Sequence, residues 1–311
     1  MQVHYDLSSF PELPFPVVTI GTFDGVHLGH RTILKRLNEI ASRSGGQSVV
    51  ITFHPHPRLV LNPEDTSLRL LNSLHEKIRL LEQEGIDHLL VIPFDKAFSE
   101  MNSATFIEQI LVNGTGTKKL VVGYDHHFGK NREGSFTNLN KSGDLFGFDV
   151  EEIPARDIDN VAISSTRIRQ ALQDGDIRTA NLYLGYPYCF SGAVVKGAQL
   201  GRQLGFPTAN LEISGERKLI PQQGVYAVKV LANDLTWNGM LNIGYRPTVT
   251  NERILKIEVH IIDFSGDLYG AEITVELYDR IRAEKKFSSV DELKAQLVED
   301  KKSTLNLLES V

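Results

Sequence analysis

The sequence predicts two different domains, an α/β domain with a parallel sheet followed by a small antiparallel β-barrel with a C-terminal helix. The chain has 311 residues, more than a typical single domain contains. Its first half alternates short apolar runs with amphipathic stretches, as a parallel sheet covered by helices requires. Beyond about residue 185 the pattern changes to alternating, strand-like runs, which are typical of an antiparallel barrel.

The apolar runs of the first half predict the strands of the parallel sheet. These runs are residues 17–20, 48–53, 88–93, 119–122 and 148–153. The amphipathic stretches between them predict helices at residues 31–42, 74–84 and 105–112. Because ligands of such sheets bind at the carboxyl ends of the strands, the loops that follow the strands are where functional residues are expected.

The second half carries the signals of hairpins and one helix. Strands are predicted at residues 224–230, 239–243, 255–262 and 272–281, and a helix at residues 290–308. The pair Asn233-Asp234 separates two of the runs and predicts a turn. Gly185 and Pro187 interrupt the pattern between the two halves. We therefore predict domains at residues 1–184 and 185–311.

Composition narrows the class of protein. The formal net charge is −6, with 41% apolar and 23% charged residues, which favours a globular enzyme over a nucleic-acid binder. Cys189 is the single cysteine, so a disulfide framework within the chain is excluded and a reducing compartment is favoured. The first residues lack the basic and apolar regions of a signal peptide, and no run approaches the ~18 apolar residues of a membrane span. These features predict a cytoplasmic protein with neither nucleic acid nor membrane as partner.

The most informative motif is residues 21–30, G-T-F-D-G-V-H-L-G-H, between a predicted strand and a predicted helix. A helix start offers unpaired N–H groups and a positive dipole end to phosphates. His27 and His30 are three residues apart, which places them on one side of a helical turn. Two imidazoles there can donate hydrogen bonds to a polyphosphate as its charge moves. The alternative is a capped helix start with two partly exposed histidines.

Three more segments carry polar side chains where site residues are expected. They are T-F-H-P-H-P at residues 52–57, G-Y-D-H-H-F-G-K at 123–130 and I-S-S-T-R-I-R at 163–169. The serines and threonine of the last segment suit both a helix cap and a phosphate, and Arg167 or Arg169 suits bidentate phosphate binding. Together these parts favour attack of a phosphate oxygen on the α-phosphorus of ATP. A zinc site is the alternative for His54, His56, His126 and His127, although no cysteine or H-E-x-x-H pattern accompanies them.

The second half has its own phosphate motif, G-R-Q-L-G-F-P-T-A-N at residues 201–210. Thr208 and Asn210 place two oxygen ligands on one side of an extended segment, which suits a hard cation that carries nucleotide phosphates. The glycines at 197, 201 and 205 permit close approach of backbone to phosphate. Glu258 lies in a predicted strand and suits a general base for a hydroxyl that attacks a γ-phosphate; a solvated strand residue is the alternative.

Taken together, these motifs resemble the bacterial bifunctional riboflavin kinase/FMN adenylyltransferase family, the FAD synthetases, over nearly the whole chain. The patterns G-T-F-D-G-V-H-x-G-H, S-S-T-x-x-R, G-F-P-T-A-N, N-I-G-x-R-P-T and E-V-H-x-x-D-F-x-G-D-L-Y-G occur in the order of that family. The resemblance implies a Rossmann-like nucleotidyltransferase domain followed by a riboflavin kinase barrel. It also implies riboflavin, FMN and ATP as small-molecule partners, FAD as final product, and Mg²⁺ in both steps.

The resemblance also assigns roles to individual residues. In the adenylyltransferase, His27 and His30 are catalytic, and ATP binding involves Gly21, Phe23, Asp24, Gly25, His27, His30, Asp125, Ser165, Thr166 and Arg169. In the kinase, Glu258 is the base, Thr208 and Asn210 bind the metal, and ATP binding involves Gly197, Gly201, Gly205, Thr208 and Asn210. One turn departs from the family pattern G-x-D-F-x-F-G, since His126 and His127 follow Asp125.

Three other functions compete with this interpretation. One is a flavin kinase whose first domain is inactive, which the intact H-x-G-H and S-S-T patterns disfavour. Another is a regulator that responds to flavin or nucleotide, which would need a nucleic-acid-binding module that the sequence does not suggest. The third is a nucleotidyltransferase for a different substrate, such as pantetheine phosphate, which accounts for the first domain alone. The sequence leaves open whether the chain forms a homo-oligomer.

Overall fold

A computed structural model of the chain forms two compact units. It describes residues 1–124, 129, 136–154, 163–197, 201, 204–213, 215, 217–247 and 253–309. By their internal contacts, the first unit comprises Met1–Leu68 and Leu74–Ser164, and the second comprises Arg69–Ser73 and Ser165–Val311. In the described part of the chain, no helix is both long and apolar enough to cross a membrane.

The first unit is built on a six-stranded parallel sheet. Its strands are β1 (Gln2–His4), β2 (Pro16–Ile20), β3 (Gln47–His54), β4 (His88–Pro93), β5 (Lys119–Gly123) and β6 (Asp149–Ile153). They lie in the order β1-β4-β3-β2-β5-β6. The strand order reverses beside β2, because β3 lies on one side of β2 and β5 on the other. The carboxyl end of β2 is therefore the topological switch point, where ligands of such sheets bind.

Helices cover this sheet. They are α1 (Leu28–Ser44), α2 (Pro57–Leu61), α3 (Leu74–Gln83), α4 (Lys96–Ser99), α5 (Ser103–Phe106) and α6 (Phe136–Phe146). A 3-10 turn (Leu7–Ser9) follows β1, and a π-helical turn (Ile107–Val112) continues α5. The predicted strands and helices of this half are confirmed, and the short edge strand β1 and the helices α2, α4 and α6 are additions.

Alternate residues of the buried strands supply two separate cores, one on each face of the sheet. On one face, Val18, Ile51 and Leu120 pack with Phe106 and Leu111. On the other face, the next residues along the same strands pack against α1 and α3, as Val17, Val50 and Val121 meet Leu34 and Leu81. This alternation follows from the period of two along a strand, and apolar residues on both faces are typical of a parallel sheet.

The second unit is a closed antiparallel barrel. Its strands are β7 (Tyr188–Val195), β8 (Ala209–Ile213), β9 (Gly224–Ala232), β10 (Leu235–Pro247), β11 (Arg253–Ile261) and β12 (Glu272–Arg282). They close in the order β10-β11-β8-β7-β12-β9. Helices α7 (Ser165–Asp174), α8 (Ile177–Leu184) and α9 (Val290–Glu309) complete the unit. The predicted barrel and C-terminal helix are confirmed, and so is the turn at Asn233-Asp234, where both residues have positive φ (51° and 61°) as a two-residue hairpin requires.

A short segment from the first half of the sequence belongs to this second unit. The backbone of Leu70 bonds to both sides of Lys218, accepting from Leu219 N at 2.8 Å and donating to Arg217 O at 2.7 Å. The Lys218 ammonium donates to Leu71 O at 2.7 Å, and Arg169 Nε donates to Arg69 O at 2.7 Å. These bonds explain why residues 69–73 group with the barrel.

A buried ion pair fastens α9 to the barrel. Arg282 at the end of β12 contacts the Asp300 carboxylate through Nε at 2.9 Å and Nη2 at 2.7 Å, and Gln296 also donates to Asp300. Asp300 is 1% exposed. Asp300→Ala leaves the guanidinium without its partner, and we expect a loss of about 3–5 kcal/mol in the free energy of unfolding of the barrel unit.

The chain offers a direct measurement of this loss. Its single tryptophan, Trp237, lies in β10, so its fluorescence during urea unfolding reports on the barrel. The exposed neighbour provides a matched control, and Glu299→Ala should leave the unfolding midpoint nearly unchanged. Equal midpoints for Asp300→Ala and the unmodified chain would contradict this account of α9.

Candidate active sites

The turn that follows β2 carries the H-x-G-H motif at the switch point of the sheet. Its chain reverses sharply, with positive φ at Phe23 (46°), Gly25 (90°) and Val26 (34°). For Phe23 and Val26 this conformation costs about 1–3 kcal/mol each, so the surroundings must hold it. The Thr22 carbonyl is one such anchor, since it accepts from Lys77 Nζ at 2.7 Å and from Thr52 Oγ1 at 3.3 Å.

The two histidines of the motif lie face to face. Their ring centroids are 3.6 Å apart with an interplanar angle of 16°, which confirms the prediction that they share one side of the turn. His27 is the N-cap of α1, and its Nδ1 lies 3.4 Å from the His30 backbone N–H. Phe23 packs edge-on against His30 at 5.1 Å. In the described part of the chain, Nδ1 of His30 is buried without a hydrogen-bond partner, which leaves a polar atom for an incoming group.

His30 is held in its neutral form. Burial lowers the pKa of His30 well below its usual value of 6.5, and the neighbouring His27 and Lys77 lower this pKa further. At neutral pH the ring therefore offers a hydrogen-bond donor without a full positive charge. Such a fixed dipole still stabilises charge that develops on a phosphate oxygen.

Lys77 is the residue of this site that the sequence analysis missed. It lies in α3, is buried, and has a pKa lowered from 10.5 to about 8 by burial, an effect that Asp24 partly offsets. That shift corresponds to roughly 3 kcal/mol that burial of the ammonium costs the folded state at neutral pH. The sequence holds a signal for it, because position 77 falls within the helical stripe formed by Leu74, Ile78 and Leu81.

The other residues predicted for the site at the histidine motif lie in different elements of the structure. Gly21, Phe23, Asp24 and Gly25 lie in the turn itself, and Gly21 N donates to Ile51 O at 3.0 Å. Ser165 and Thr166 begin α7, as predicted, and Arg169 donates from that helix to Arg69 O. Asp125, with His126 and His127, lies outside the described residues.

The histidines at the end of β3 and just after it are His54 and His56. His56 caps α2, because its Nδ1 accepts from Arg58 N at 3.2 Å. Burial and nearby Lys77 lower the pKa of His54. Among the described residues, no group of three or more His, Cys, Asp or Glu side chains is arranged to hold a metal ion.

Strand register builds the second candidate site. Glu258 on β11 lies directly opposite Asn210 on β8 and Asn242 on β10. Directly opposed side chains in antiparallel strands have Cβ atoms about 4.5–5.5 Å apart, so the three form one row across the barrel wall. The register therefore brings together Glu258 and Asn210, which the sequence analysis singled out, and adds Asn242, which it did not assign a role.

Two glycines permit close packing around this row. A Cβ on Gly197 would lie 2.1 Å from Nδ2 of the buried Asn210, so Gly197 leaves the space that the Asn210 amide occupies. A Cβ on Gly201 would lie 2.3 Å from the carbonyl of Phe206, to whose N–H the Gly201 carbonyl is bonded at 2.9 Å. Gly205 has φ +84°, which favours glycine.

The segment that leads to Thr208 is fixed by a buried histidine. His260 Nδ1 lies 2.8 Å from the Pro207 carbonyl, and Phe206 packs edge-on against the His260 ring at 5.3 Å. Thr208 follows directly and lines a cavity of about 530 Å³. Apolar and aromatic side chains form much of the wall of this cavity, among them Val194, Val259, Phe264 and Tyr269. Its size and lining are those of a small-molecule site.

Comparison with known proteins follows the same division of the chain. The family model described as FAD synthetase matches residues 12–167, and the model described as riboflavin kinase matches residues 184–308. Two curated relatives carry the name bifunctional riboflavin kinase/FMN adenylyltransferase. The Escherichia coli K12 protein is 44% identical over 91% of this chain and 90% of its own, and the Pseudomonas fluorescens protein is 40% identical over 93% and 92%.

A solved structure has the same fold over its full length. It is the crystal structure of a Streptococcus pneumoniae protein described as a macrolide-efflux protein, which is 32% identical to this chain. The match covers 98% of each chain with a TM-score of 0.88.

Proposed function

Since this chain belongs to the bifunctional riboflavin kinase/FMN adenylyltransferase family, we propose which of its residues carry out each step of FAD synthesis. The chain phosphorylates riboflavin with ATP to give FMN and then adenylylates FMN with ATP to give FAD and pyrophosphate. The observation that supports the assignment is the occurrence of two separately built groups of polar side chains, the histidine turn after β2 and the Asn210–Glu258 row of the barrel.

In our assignment the turn after β2 carries out adenylylation. A phosphate oxygen of FMN attacks the α-phosphorus of ATP, and pyrophosphate leaves. His27 and His30 donate hydrogen bonds to the oxygens on which charge accumulates, and the vacant Nδ1 of His30 supports this role. For Ser165, Thr166 and Arg169 we keep the phosphate-binding role that the family resemblance implies. The backbone around Gly21, Phe23, Asp24 and Gly25, together with Asp125, completes the nucleotide site.

The barrel carries out the phosphorylation. We place ATP in the cavity beside Thr208, and we assign its phosphates to the glycines at 197, 201 and 205 that the sequence analysis gives to ATP binding. Glu258 accepts the proton of the terminal hydroxyl of riboflavin while that oxygen attacks the γ-phosphorus, and ADP leaves. The register supports this arrangement, because it sets the proposed base directly beside the proposed nucleotide ligand Asn210.

The donor set of the barrel fits a magnesium ion. Thr208 and Asn210 offer neutral oxygens, the type of ligand that Mg²⁺ prefers when phosphates supply the remaining charge, and Gly197 leaves the space in which the Asn210 amide lies. When bound, Mg²⁺ neutralises the phosphates of ATP. Thr208 and Asn210 orient the phosphates, while Glu258 handles the proton.

Gly197→Ala tests the barrel assignment. The added methyl group collides with the whole Asn210 amide, so this side chain must leave its position. We expect riboflavin phosphorylation to fall about 10–100-fold, the usual effect of disturbing the support of a metal ligand. Adenylylation of added FMN by the same preparation should stay unchanged and serves as the control for folding. Full phosphorylation by this variant would exclude Asn210 as a ligand.

Our proposal keeps the sequence-based boundaries and location. The two functional domains are residues 1–184 and 185–311, which the start of the riboflavin kinase match at residue 184 supports. The single cysteine supports the cytoplasm as the compartment. Riboflavin, FMN and ATP are the partners, without nucleic acid or membrane.

The experiment that tests the proposed function is a time course. Purified chain is incubated with riboflavin, ATP and Mg²⁺, and the flavins are separated by chromatography. We expect FMN to rise first and FAD to follow, and EDTA to stop both. FMN alone would favour the kinase with an inactive first domain, and a chain that forms neither product would contradict the proposal.

A further inference from the structure

Lys77 lies beneath the histidine turn and does not belong to the H-x-G-H motif. Its side chain reaches from α3 to the first residues after β2, where Nζ donates to the Thr22 carbonyl at 2.7 Å. The side chain is 6% exposed. An ammonium carries three N–H donors, and among the described residues the Thr22 carbonyl is the hydrogen-bond partner of Nζ.

The Thr22 carbonyl, which accepts the hydrogen bond from Lys77, lies at the start of the turn. Thr22 directly precedes Phe23, the first of the residues with positive φ, and the same carbonyl also accepts from Thr52 Oγ1 on β3. Two donors from two different elements thus fix the point at which the chain leaves the sheet. The chain runs from this point through the turn to the stacked His27 and His30.

Lys77 also supplies a positive charge to the site. The Lys77 ammonium interacts electrostatically with Asp24 in the turn, with His30 in α1 and with His54 at the end of β3. Because the surroundings are buried, a charge here acts more strongly on a phosphate than the same charge would in water. A buried cation beneath a turn that receives a polyphosphate has the sign and the location that such a ligand needs.

We propose that Lys77 is a positioning residue for adenylylation, which fixes the turn through the Thr22 carbonyl and places one positive charge under the ATP phosphates. This inference rests on the proposed role of His27 and His30. Burial is the main cause of the neutral state of His30, and the Lys77 ammonium adds to it. Burial of this ammonium is unfavourable for folding even with its hydrogen bond to Thr22 and the nearby Asp24, which argues against a purely structural role.

The test compares Lys77→Met with a matched control. Methionine has a similar length and no charge, and Lys35→Met removes an exposed charge from α1 of the same unit. We expect Lys77→Met to lower kcat for adenylylation of FMN by about 100-fold, the usual effect of losing one electrostatic donor. Riboflavin phosphorylation by the same preparation and the melting temperature should not fall, and Lys35→Met should keep both activities.

Two further measurements distinguish a positioning role of Lys77 from a purely structural role. By NMR, the pKa of His30 should rise in Lys77→Met, because a neighbouring positive charge is removed. In the unmodified chain, the ratio of adenylylation to phosphorylation should fall as pH rises through about 8, because the Lys77 ammonium is present below its pKa and lost above it. Asp24 opposes this loss, while His30 and His54 are already neutral in that range.

The outcomes are distinguishable. Full adenylylation by Lys77→Met with an unchanged pKa of His30 would overturn the inference and leave the proposed function standing. If Lys77→Met does not fold, the pH dependence of the unmodified chain tests the inference instead. A ratio of adenylylation to phosphorylation that stays constant up to pH 9.5 overturns the inference, and a ratio that falls supports it. An unmodified chain that makes no FAD would instead reject the proposed function on which the inference rests.

Discussion

His30→Ala is expected to lower adenylylation of FMN by about 10²–10³-fold, the effect of removing one donor from a preorganised charge-stabilising site. The ring is buried in the turn, stacked on His27, and its Nδ1 has no partner among the described residues. The pKa of His30 lies well below 6.5, mainly because of burial. At neutral pH the substitution therefore removes an uncharged hydrogen-bond donor. Riboflavin phosphorylation should be unaffected, because its site is built from barrel residues.

The measurement is the initial rate of FAD formation from added FMN, beside the initial rate of FMN formation from riboflavin. His75→Ala is the matched control, since His75 is an exposed histidine of α3 in the same unit. It should retain both rates. Equal loss of both rates in a folded His30→Ala protein would contradict separate sites.

Glu258→Gln is expected to show the reverse pattern. The amide preserves the size of the side chain and its place opposite Asn210 and Asn242, and it cannot accept the proton of the attacking hydroxyl. Loss of a general base typically costs about 10²–10⁴-fold in rate, and we expect riboflavin phosphorylation to fall by that factor. Conversion of added FMN to FAD should continue at the rate of the unmodified chain.

The neighbouring strand supplies the control for this variant. Glu212 is an exposed glutamate of β8, and Glu212→Gln removes the same charge from the same barrel. It should leave phosphorylation intact. Normal phosphorylation by Glu258→Gln would remove Glu258 from the mechanism and restore its interpretation as a solvated strand residue.

The strands and helices that were predicted correctly have a clear pattern of apolar residues in the sequence. Buried strands such as β2 and β3 are mostly apolar, and α1 and α9 are long helices with amphipathic patterns. Strands β7 and β8 were not predicted from the sequence. In β7 the apolar pattern is hard to recognise because Gly192 interrupts it. The structure shows why glycine lies there, since a Cβ would come within 2.6 Å of the Glu212 carbonyl on the adjacent strand. The strand β1 has three residues, too few for any period, and is fixed by pairing with the distant β4.

The residues of the candidate sites also divide into those that the sequence predicted and those that it did not. Residues within one motif, such as His27 and His30, were predictable because local spacing sets their geometry. Lys77 and Asn242 were not, because each enters its site from an element distant in sequence, one by helix packing and the other by strand register. The place of Lys77 in an apolar helical stripe is a signal, although the sequence alone does not tell which loop the side chain reaches.

The central claim is that one chain transfers two different parts of ATP at two separate sites, and labelled ATP tests it most directly. The chain is incubated with riboflavin, Mg²⁺ and ATP that carries the label on either the γ- or the α-phosphate. We expect the γ-label in both FMN and FAD, and the α-label in FAD alone. His30→Ala should slow only the incorporation of the α-label, by about 10²–10³-fold, and Glu258→Gln, supplied with FMN, should still incorporate this label. An α-label in FMN, or loss of both labels in either folded variant, would contradict the account.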